Sequence, residues 1–207
     1  MNGRERVYLE DPESFVLRNG DGVVLISAPH CVQQLRNGRI KPAEPETGIL
    51  VRRLHEELNC PIIYKTRNCG DDANYDIDSP YKKAIVDYVV SHGIKFLIDL
   101  HQLSQKKNIG VDIGIAKGRH IDGFETLNIL LFEFSSHNLG AIQIDKPFAA
   151  LQPYTIASYI REKTRIQTVQ LEINSRFLHG DLAGLYFEKT YCALKNSIIK
   201  INNYLGE

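Results

Sequence analysis

One stretch near the middle of the chain constrains the fold more than any other. The apolar run Phe96–Ile98 continues into Asp99, Leu100 and His101. A continuous apolar run is typical of a strand that is buried on both faces of a sheet. Asp99 and His101 lie two residues apart, so on a strand both side chains point to the same face. Because ligands in open α/β sheets collect at the carboxyl ends of strands, the stretch predicts a central strand that ends at a functional site.

Two other segments end in the same way as this strand. The apolar run Val23–Ser27 stops at Pro29 and is followed by His30. Proline cannot donate a hydrogen bond to a sheet ladder, so the strand is predicted to end there. The segment Gln167–Asn174 reads as a further inner strand, and Glu172 lies close to its end. These strand ends therefore carry residues that can bind a metal or move a proton.

Helical and strand-like segments alternate along most of the chain. The apolar spacing predicts helices that begin at Pro45 and Pro80 and helices that cover Leu127–Leu139, Thr155–Lys163 and residues 182–204. Residues 31–44 have no clear period and contain Asn37-Gly38, so they are predicted to form a loop. The alternation predicts a three-layer α/β/α fold with a mostly parallel or mixed central sheet. No repeat and no linker stands out, so residues 1–207 are predicted to form a single domain.

The composition argues against several classes of protein. The chain has 207 residues with 25 Lys and Arg against 25 Asp and Glu, so it lacks the basic excess of a nucleic-acid-binding protein. No apolar run approaches the roughly 20 residues that span a bilayer. Met1–Arg6 lack the apolar core of a signal peptide, so we expect a cytoplasmic protein without a nucleic-acid or membrane partner. The four cysteines have no zinc-finger spacing and are expected to be free thiols.

The polar strand ends suggest one metal centre. A catalytic zinc site usually has three protein ligands and one open position, and no HExxH motif supplies two of them together here. Our hypothesis is that His30, His101 and Glu172 meet at this centre, with a further carboxylate from Glu44 or Glu46. Alternatively, each histidine caps its strand and bonds a loop carbonyl, and spacing alone does not separate the two interpretations. The other five histidines do not end an apolar strand and are not predicted to be ligands.

Several short motifs occur in an order that resembles the N-formylglutamate amidohydrolase family, which is related to zinc carboxypeptidases and aminoacylases. These motifs are Ser27-Ala28-Pro29-His30, Arg67 with Asp72-Ala73-Asn74, Asp99-Leu100-His101 and Val169–Asn174. The resemblance covers roughly residues 23–178. It implies a zinc carboxypeptidase/phosphorylase-hydrolase-like fold, one zinc ion (Zn2+) and a small N-acyl amino acid or peptide as substrate. The implied reaction is hydrolysis of an amide bond in that substrate.

The resemblance also implies a role for individual residues at the metal. The family's metal-binding histidines fall on His30 and His101. Its acidic ligand lies between them, and Glu44 fits the E-P-x-T pattern of related zinc amidases, with Glu46 as the close alternative. Either glutamate could instead be a charge that favours a helix N-terminus.

Glu172 falls on the glutamate that the family uses as general base. A zinc-bound water has its pKa lowered toward neutrality, and a neighbouring carboxylate can take its proton and pass it to the leaving amine. The alternative for Glu172 is a salt bridge to Arg176. Asp99 is predicted either to orient a ligand histidine or to be a structural carboxylate.

Arg67 and Arg176 are candidates to bind a substrate carboxylate or to polarise the scissile carbonyl, and Asn74 is a candidate to bind the same carboxylate. Arginine suits this task because its planar guanidinium can bind a carboxylate through two hydrogen bonds. The alternative for a loop arginine is a solvated charge. The family often has an arginine directly after Asp-x-Asn, where this chain has Tyr75. Two further functions therefore stay open: a carboxypeptidase-like peptidase on peptides or cell-wall fragments, and a non-catalytic small-molecule binding module on the same fold.

Overall fold

The structure, a computed structural model, describes residues 14–179 and 183–206. Met1–Arg6, on which the expected location was based, lie outside these residues. The strands are β1 Phe15–Arg18, β2 Val24–Ala28, β3 Gln34–Arg36, β4 Arg39–Lys41, β5 Ile62–Lys65, β6 Phe96–Leu103, β7 Val111–Gly114, β8 Ile142–Ile144 and β9 Gln167–Asn174. The helices are α1 Pro45–Leu58, α2 Pro80–His92, α3 Glu125–Ser136, α4 Ile156–Thr164 and α5 Ala183–Gly206, and Ser175–Phe177 form a 3-10 turn after β9.

The central sheet is mixed, as predicted. Its strand order is β1-β5-β2-β6-β9-β7-β8. The inner strands β5, β2, β6 and β9 are parallel, whereas β1 and β7 run antiparallel to β5 and β9. In the register of β6 and β9, His101 lies opposite Glu172. The carboxyl ends of β2, β6 and β9 therefore lie side by side at one edge of the sheet.

Helices cover both faces of this sheet and complete the predicted three-layer α/β/α fold. Successive residues of a strand point to opposite faces, so Leu97 and Ile98 enter different cores. Ile98 packs in a core that includes residues of α1, α3 and α5. Leu97 packs in a second core that includes residues of α2 and α4. Both side chains are fully buried, and burial of this kind contributes about 1.5–3 kcal/mol per side chain.

Residues 31–44 do not form the predicted simple loop. β3 and β4 pair as an antiparallel hairpin, and Asn37 and Gly38 connect them with positive φ angles of 51° and 73°. Two consecutive positive φ angles are typical of a type I′ turn, for which Asn-Gly is a preferred sequence. The loop prediction was wrong because three-residue strands are too short to show a period. Arg36 extends from this hairpin toward Asp72, and Lys41 extends toward His30 after the end of β2.

Two other expectations concern the whole chain. Each of the four cysteines, all within the described residues, is a free thiol, as predicted. Across residues 14–179 and 183–206, no helix is both long and apolar enough to cross a membrane.

Candidate metal centre

Three buried side chains meet at the carboxyl end of the inner strands. His30 follows β2, His101 lies within β6, and Glu44 directly precedes α1. Their ligand atoms all lie within 4.8 Å of one another. The two Nδ1 atoms are 3.1 Å apart, and Glu44 places Oε1 3.3 Å from His30 Nδ1 and Oε2 3.6 Å from His101 Nδ1. The structure thus brings together the three residues that the resemblance implied as ligands.

The position of Glu44 follows from the start of α1. Pro45 occupies the first turn of the helix, where its missing N–H costs nothing, and Glu44 is the residue before it. The backbone N–H of Glu44 donates to the carbonyl of His30 at 2.7 Å, which ties the helix start to the end of β2. The Glu44 side chain does not cap the helix, and its Oε2 accepts a hydrogen bond from the backbone N–H of Gln102 at 3.0 Å. The carboxylate is therefore directed into the cluster.

Glu46, the other candidate for the acidic ligand, lies outside the cluster. Its Oε1 is 2.9 Å from Nδ1 of His179. Glu46 is the second residue of α1, whereas Glu44 precedes the helix. The two side chains therefore point in different directions. The structure therefore favours Glu44 over Glu46.

Each histidine is backed by a buried carboxylate. Nε2 of His30 lies 2.9 Å from Oδ1 of Asp72, and Nε2 of His101 lies 2.9 Å from Oδ2 of Asp99. A carboxylate in this position accepts the Nε2 hydrogen and leaves the Nδ1 lone pair free for a metal. The paired arrangement fits the orienting role, which was one of the two roles predicted for Asp99. Asp72 is placed in the same way beside His30, and the sequence analysis gave it no role.

The charges around the cluster favour a cation. Burial alone would raise the pKa of Glu44, but the neighbouring His30 and His101 outweigh it and hold that pKa well below its usual range. Burial would likewise lower the pKa of His101, but the Asp99 and Glu44 carboxylates outweigh it and raise that pKa to about 10. Both pKa shifts show that the buried carboxylates of this site are stabilised by neighbouring positive charge.

Glu172 lies beside the cluster but is not one of its three members. It is only 7% exposed, and its Oε1 accepts a hydrogen bond from Nε2 of Gln170 at 3.0 Å. Burial raises the pKa of Glu172, and the nearby Glu44 carboxylate adds to this effect, although His101 opposes it. A carboxylate with a raised pKa is a stronger base. This position fits a proton-transfer role better than the direct metal contact of the initial hypothesis.

The cluster and Glu172 line one cleft of about 410 Å³. Residues 147–152 form a wall of this cleft, with Phe148 and Leu151 as its large apolar side chains. Asp112 holds that wall in place, because its carboxylate accepts hydrogen bonds from the backbone N–H groups of Lys146 and Phe148 at 2.9 and 2.7 Å. Gly114 allows the close approach, since a Cβ there would lie 2.5 Å from the carbonyl oxygen of Phe148.

The structure does not bring the two predicted arginines to the cleft. Arg67 is exposed in the loop after β5 and is not part of the cleft lining. Arg176 is exposed on the 3-10 turn after β9, where its guanidinium lies 4.8 Å from the ring centre of Phe177. Glu172 and Arg176 are four residues apart, but β9 ends at Asn174 and the turn directs Arg176 away. The positions of Arg67 and Arg176 therefore do not support a contact between either arginine and the substrate.

Asn74 lines the cleft, but its side-chain amide already has protein neighbours. Its Oδ1 accepts a hydrogen bond from the backbone N–H of Ile156 at 2.8 Å, and its Nδ2 lies 3.1 Å from Nε2 of His101. The bond from Ile156 fixes Asn74 at the start of α4. Because Nε2 of His101 donates its hydrogen to Asp99, Nδ2 of Asn74 is a neighbour of that nitrogen and not its hydrogen-bond donor. The substrate contact of Asn74 stays a prediction.

Two cationic residues of the cleft were missed by the sequence analysis. Nε and Nη2 of Arg36 each donate to Oδ2 of Asp72 at 2.8 Å. Lys41 places Nζ 2.7 Å from Nδ1 of His30 and 2.5 Å from Oε1 of Glu44. Both residues belong to the β3–β4 hairpin. The Asn-Gly pair was the signal that could have revealed this hairpin, but no pattern indicates where its side chains point.

The donor set fits a zinc ion. Two imidazole nitrogens and one carboxylate are a common set of catalytic zinc ligands, and each imidazole here has the carboxylate neighbour that such ligands usually have. The ammonium of Lys41 contacts two of the three donor groups. Its side chain is 28% exposed, so it has room to move toward solvent.

The fold is shared with solved hydrolase structures. No family model matches the sequence, and no curated protein matches it. The chain is similar to N-formylglutamate amidohydrolase from Ralstonia eutropha JMP134, with a TM-score of 0.61 and 13% identity over 92% of this chain and 98% of that one. It is similar to bacteriophage poly-gamma-glutamate hydrolase, with a TM-score of 0.59 and 15% identity over 95% and 93% of the two chains.

A third similar structure is a metallo-carboxypeptidase from Burkholderia cenocepacia, with a TM-score of 0.53 and 13% identity over 99% of this chain and 68% of that one. At these identities the likeness shows a common fold. The predicted zinc carboxypeptidase-like fold is thereby confirmed, while membership of the N-formylglutamate amidohydrolase family stays a prediction.

Proposed function

We propose that this protein is a zinc-dependent hydrolase that cleaves an amide bond in a small N-acyl amino acid or peptide. The observation that carries the proposal is the buried cluster of His30, Glu44 and His101 in the same cleft as Glu172. The fold supports it too, because the three similar structures are named as hydrolases.

A bound zinc ion supplies a Lewis acid that lowers the pKa of water and polarises a carbonyl group. Glu172 takes the proton of the attacking water and delivers it to the leaving nitrogen. Its burial keeps the carboxylate desolvated and raises its pKa, which makes it a better proton acceptor. Gln170 fixes the orientation of this carboxylate through the hydrogen bond to Oε1. The protein thus holds a base next to the cluster.

Arg36 is the residue best placed to bind a substrate carboxylate. Its side chain is 36% exposed and lines the cleft, while Asp72 fixes one edge of the guanidinium. The guanidinium carbon lies 4.9 Å from the ring centre of Tyr75. The family pattern often has an arginine at the position of Tyr75. In this chain Arg36 of the β3–β4 hairpin places its guanidinium next to Tyr75 instead. This arrangement supports a substrate with a carboxylate group.

Two buried amide oxygens in the cleft favour an amide over an ester as substrate. Among the described residues, none donates a hydrogen bond to Oε1 of Gln102 or Oε1 of Gln170. Both glutamines line the cleft. Because Nε2 of Gln170 donates to Glu172, the other amide atom of Gln170 is the oxygen that can accept a hydrogen bond. A buried acceptor without a partner costs about 1–3 kcal/mol, so a substrate N–H group that fills the site is bound preferentially.

A carboxypeptidase-like action on peptides is the second candidate, and one observation favours it. A second cavity of about 430 Å³ adjoins the cleft and shares Lys41, Glu44 and Gln102 with it. Space for a longer substrate therefore exists next to Glu44, beyond the cleft itself. A peptide can extend through both cavities, whereas a single N-acyl amino acid fills one.

The test is hydrolysis by zinc-loaded protein of N-formyl and N-acetyl amino acids and of short peptides, measured as released amine. We expect turnover by the wild-type protein. The Glu172→Gln variant is expected to bind zinc with the same stoichiometry and to lose about 10²–10⁴-fold in kcat. Glu162→Gln, which removes an exposed glutamate of α4, is the matched control. Turnover retained by Glu172→Gln contradicts the role of Glu172, and binding without turnover by the wild type favours the non-catalytic binding module.

A further inference from the structure

Lys41 occupies an unusual position for a lysine. It is the last residue of β4, and its side chain reaches across to the end of β2. Its Nζ lies within hydrogen-bond distance of His30 Nδ1 and of Glu44 Oε1, at 2.7 and 2.5 Å. These are two of the donor atoms that face the candidate metal position.

The chemistry of the ammonium explains why it lies there. A lysine ammonium is a compact cation with three N–H donors, so it can donate to an imidazole lone pair and a carboxylate together. Glu44 is buried, and an unpaired buried carboxylate is costly. Lys41 therefore supplies the positive charge and the hydrogen bonds that keep His30 and Glu44 in place.

We propose that Lys41 is a tethered cation that competes with the metal ion for His30 and Glu44. A divalent ion enters only when the ammonium moves away from these two side chains. The inference rests on the proposed function, because it takes His30, Glu44 and His101 as the ligand set. It goes further by assigning to Lys41 control over how tightly the site binds any metal.

The competition has a distinctive thermodynamic signature. The free energy needed to displace the ammonium depends only on the contacts of Lys41 with His30 and Glu44. It is therefore the same whichever ion enters. Lys41 therefore weakens the affinity of every divalent ion by one common factor and leaves the order of affinities unchanged. A residue that coordinated the metal, or one that shaped the ligand geometry, would change the affinities of different ions by different factors.

The backbone does not have to move when the ammonium leaves. Lys41 is paired with Gln34 in the hairpin, and these backbone contacts do not involve the lysine side chain. The side chain is 28% exposed, so rotation about its own bonds can carry the ammonium into solvent. The exchange of one cation for another is thus a local event.

The experiment measures the dissociation constants of Zn²⁺, Co²⁺ and Mn²⁺ for the metal-stripped full chain at one fixed pH, by competition with chelators. In Lys41→Met the side chain keeps a similar length and loses the charge. We expect all three ions to bind more tightly by one common factor of at least about tenfold, the equivalent of one lost hydrogen-bonded charge contact. Arg39→Met removes an exposed charge two residues earlier on the same strand and is expected to leave the constants within about twofold.

Two results overturn the inference while leaving the proposed function intact. One is unchanged or weaker metal binding by Lys41→Met, and the other is a tightening that differs between the ions. If neither the wild type nor the variant binds any of the three ions, the ligand set is wrong and the proposed function falls with it. Lys41→Gln serves as a second variant with the same expected outcome if Lys41→Met does not fold, as judged by its thermal melting.

Discussion

Nε2 of His30 lies 2.9 Å from Oδ1 of Asp72, a residue 42 positions later in the chain. Asp72 also accepts the hydrogen bonds of Arg36, so one buried carboxylate connects a candidate metal ligand with a candidate substrate-binding group. Burial would raise the pKa of Asp72, but His30 and Arg36 outweigh it and hold that pKa below its usual range. The candidate metal centre and the candidate substrate-binding group therefore share a structural support.

Replacing Asp72 by asparagine is expected to weaken zinc binding by about 10–100-fold, because His30 loses the charge that orients it and raises its basicity. Chelator competition on the purified variant measures this directly. Asp78→Asn, which removes an exposed carboxylate paired with Lys83, is the matched control and is expected to bind zinc like the wild type. Equal affinities for Asp72→Asn and the control would argue against the orienting role.

Arg36→Met is expected to lower kcat/KM by about 10–100-fold for an N-acyl amino acid, because a charged hydrogen bond to the substrate carboxylate is lost. The same variant should change much less with the corresponding C-terminal amide, which has no carboxylate. Arg67→Met serves as the comparison, since Arg67 does not line the cleft. An equal loss on both substrates, or a larger loss in Arg67→Met, would reject Arg36 as the carboxylate-binding residue.

Gln170→Met is expected to lower the ratio of amide to ester hydrolysis by about tenfold, because the variant lacks the acceptor for a substrate N–H group. The measurement is kcat/KM for a peptide and for its ester analogue with the wild type and the variant. Gln143→Met, on the edge strand β8, is the control. A ratio that does not change means that the Gln170 oxygen does not contact the substrate.

The cysteines are expected to differ in their reactivity toward iodoacetamide at pH 8. Burial raises the pKa of both Cys31 and Cys60 to about 12, so the thiolate fraction of each is very small at this pH. Cys69 is exposed and should be labelled first, whereas unfolding in urea should make all four thiols reactive. Peptide mass spectrometry reads out each site. Early labelling of Cys31 in the folded protein would contradict the packing described around His30.

The sequence predicts the metal centre better than it predicts the substrate site, and the reason is physical. His30 follows one apolar strand and His101 lies near the carboxyl end of another, and neighbouring parallel strands bring their carboxyl ends to one edge. Pro45 marks the start of a helix beside both Glu44 and Glu46, and only the resemblance to the E-P-x-T pattern favours Glu44. Arg36 has no such signal, since its position depends on the direction in which a short hairpin leaves the sheet.

The differences between the expected and the observed cleft have equally specific origins. Arg176 was a candidate because arginine suits carboxylate binding, but β9 ends at Asn174 and a 3-10 turn redirects the chain before Arg176. Lys41 was overlooked because a lysine in a predicted loop normally indicates a solvated surface position. Its contacts with His30 and Glu44 depend on how the β3–β4 hairpin lies against the end of β2, which no local pattern encodes.

The most direct test of the account is an anomalous-scattering map from a crystal of the protein loaded with zinc, collected at the zinc absorption edge. We predict one peak within bonding distance of His30, Glu44 and His101, with the ammonium of Lys41 withdrawn from it. A map with no peak at these three residues, or with its peak elsewhere on the molecule, would contradict the central claim.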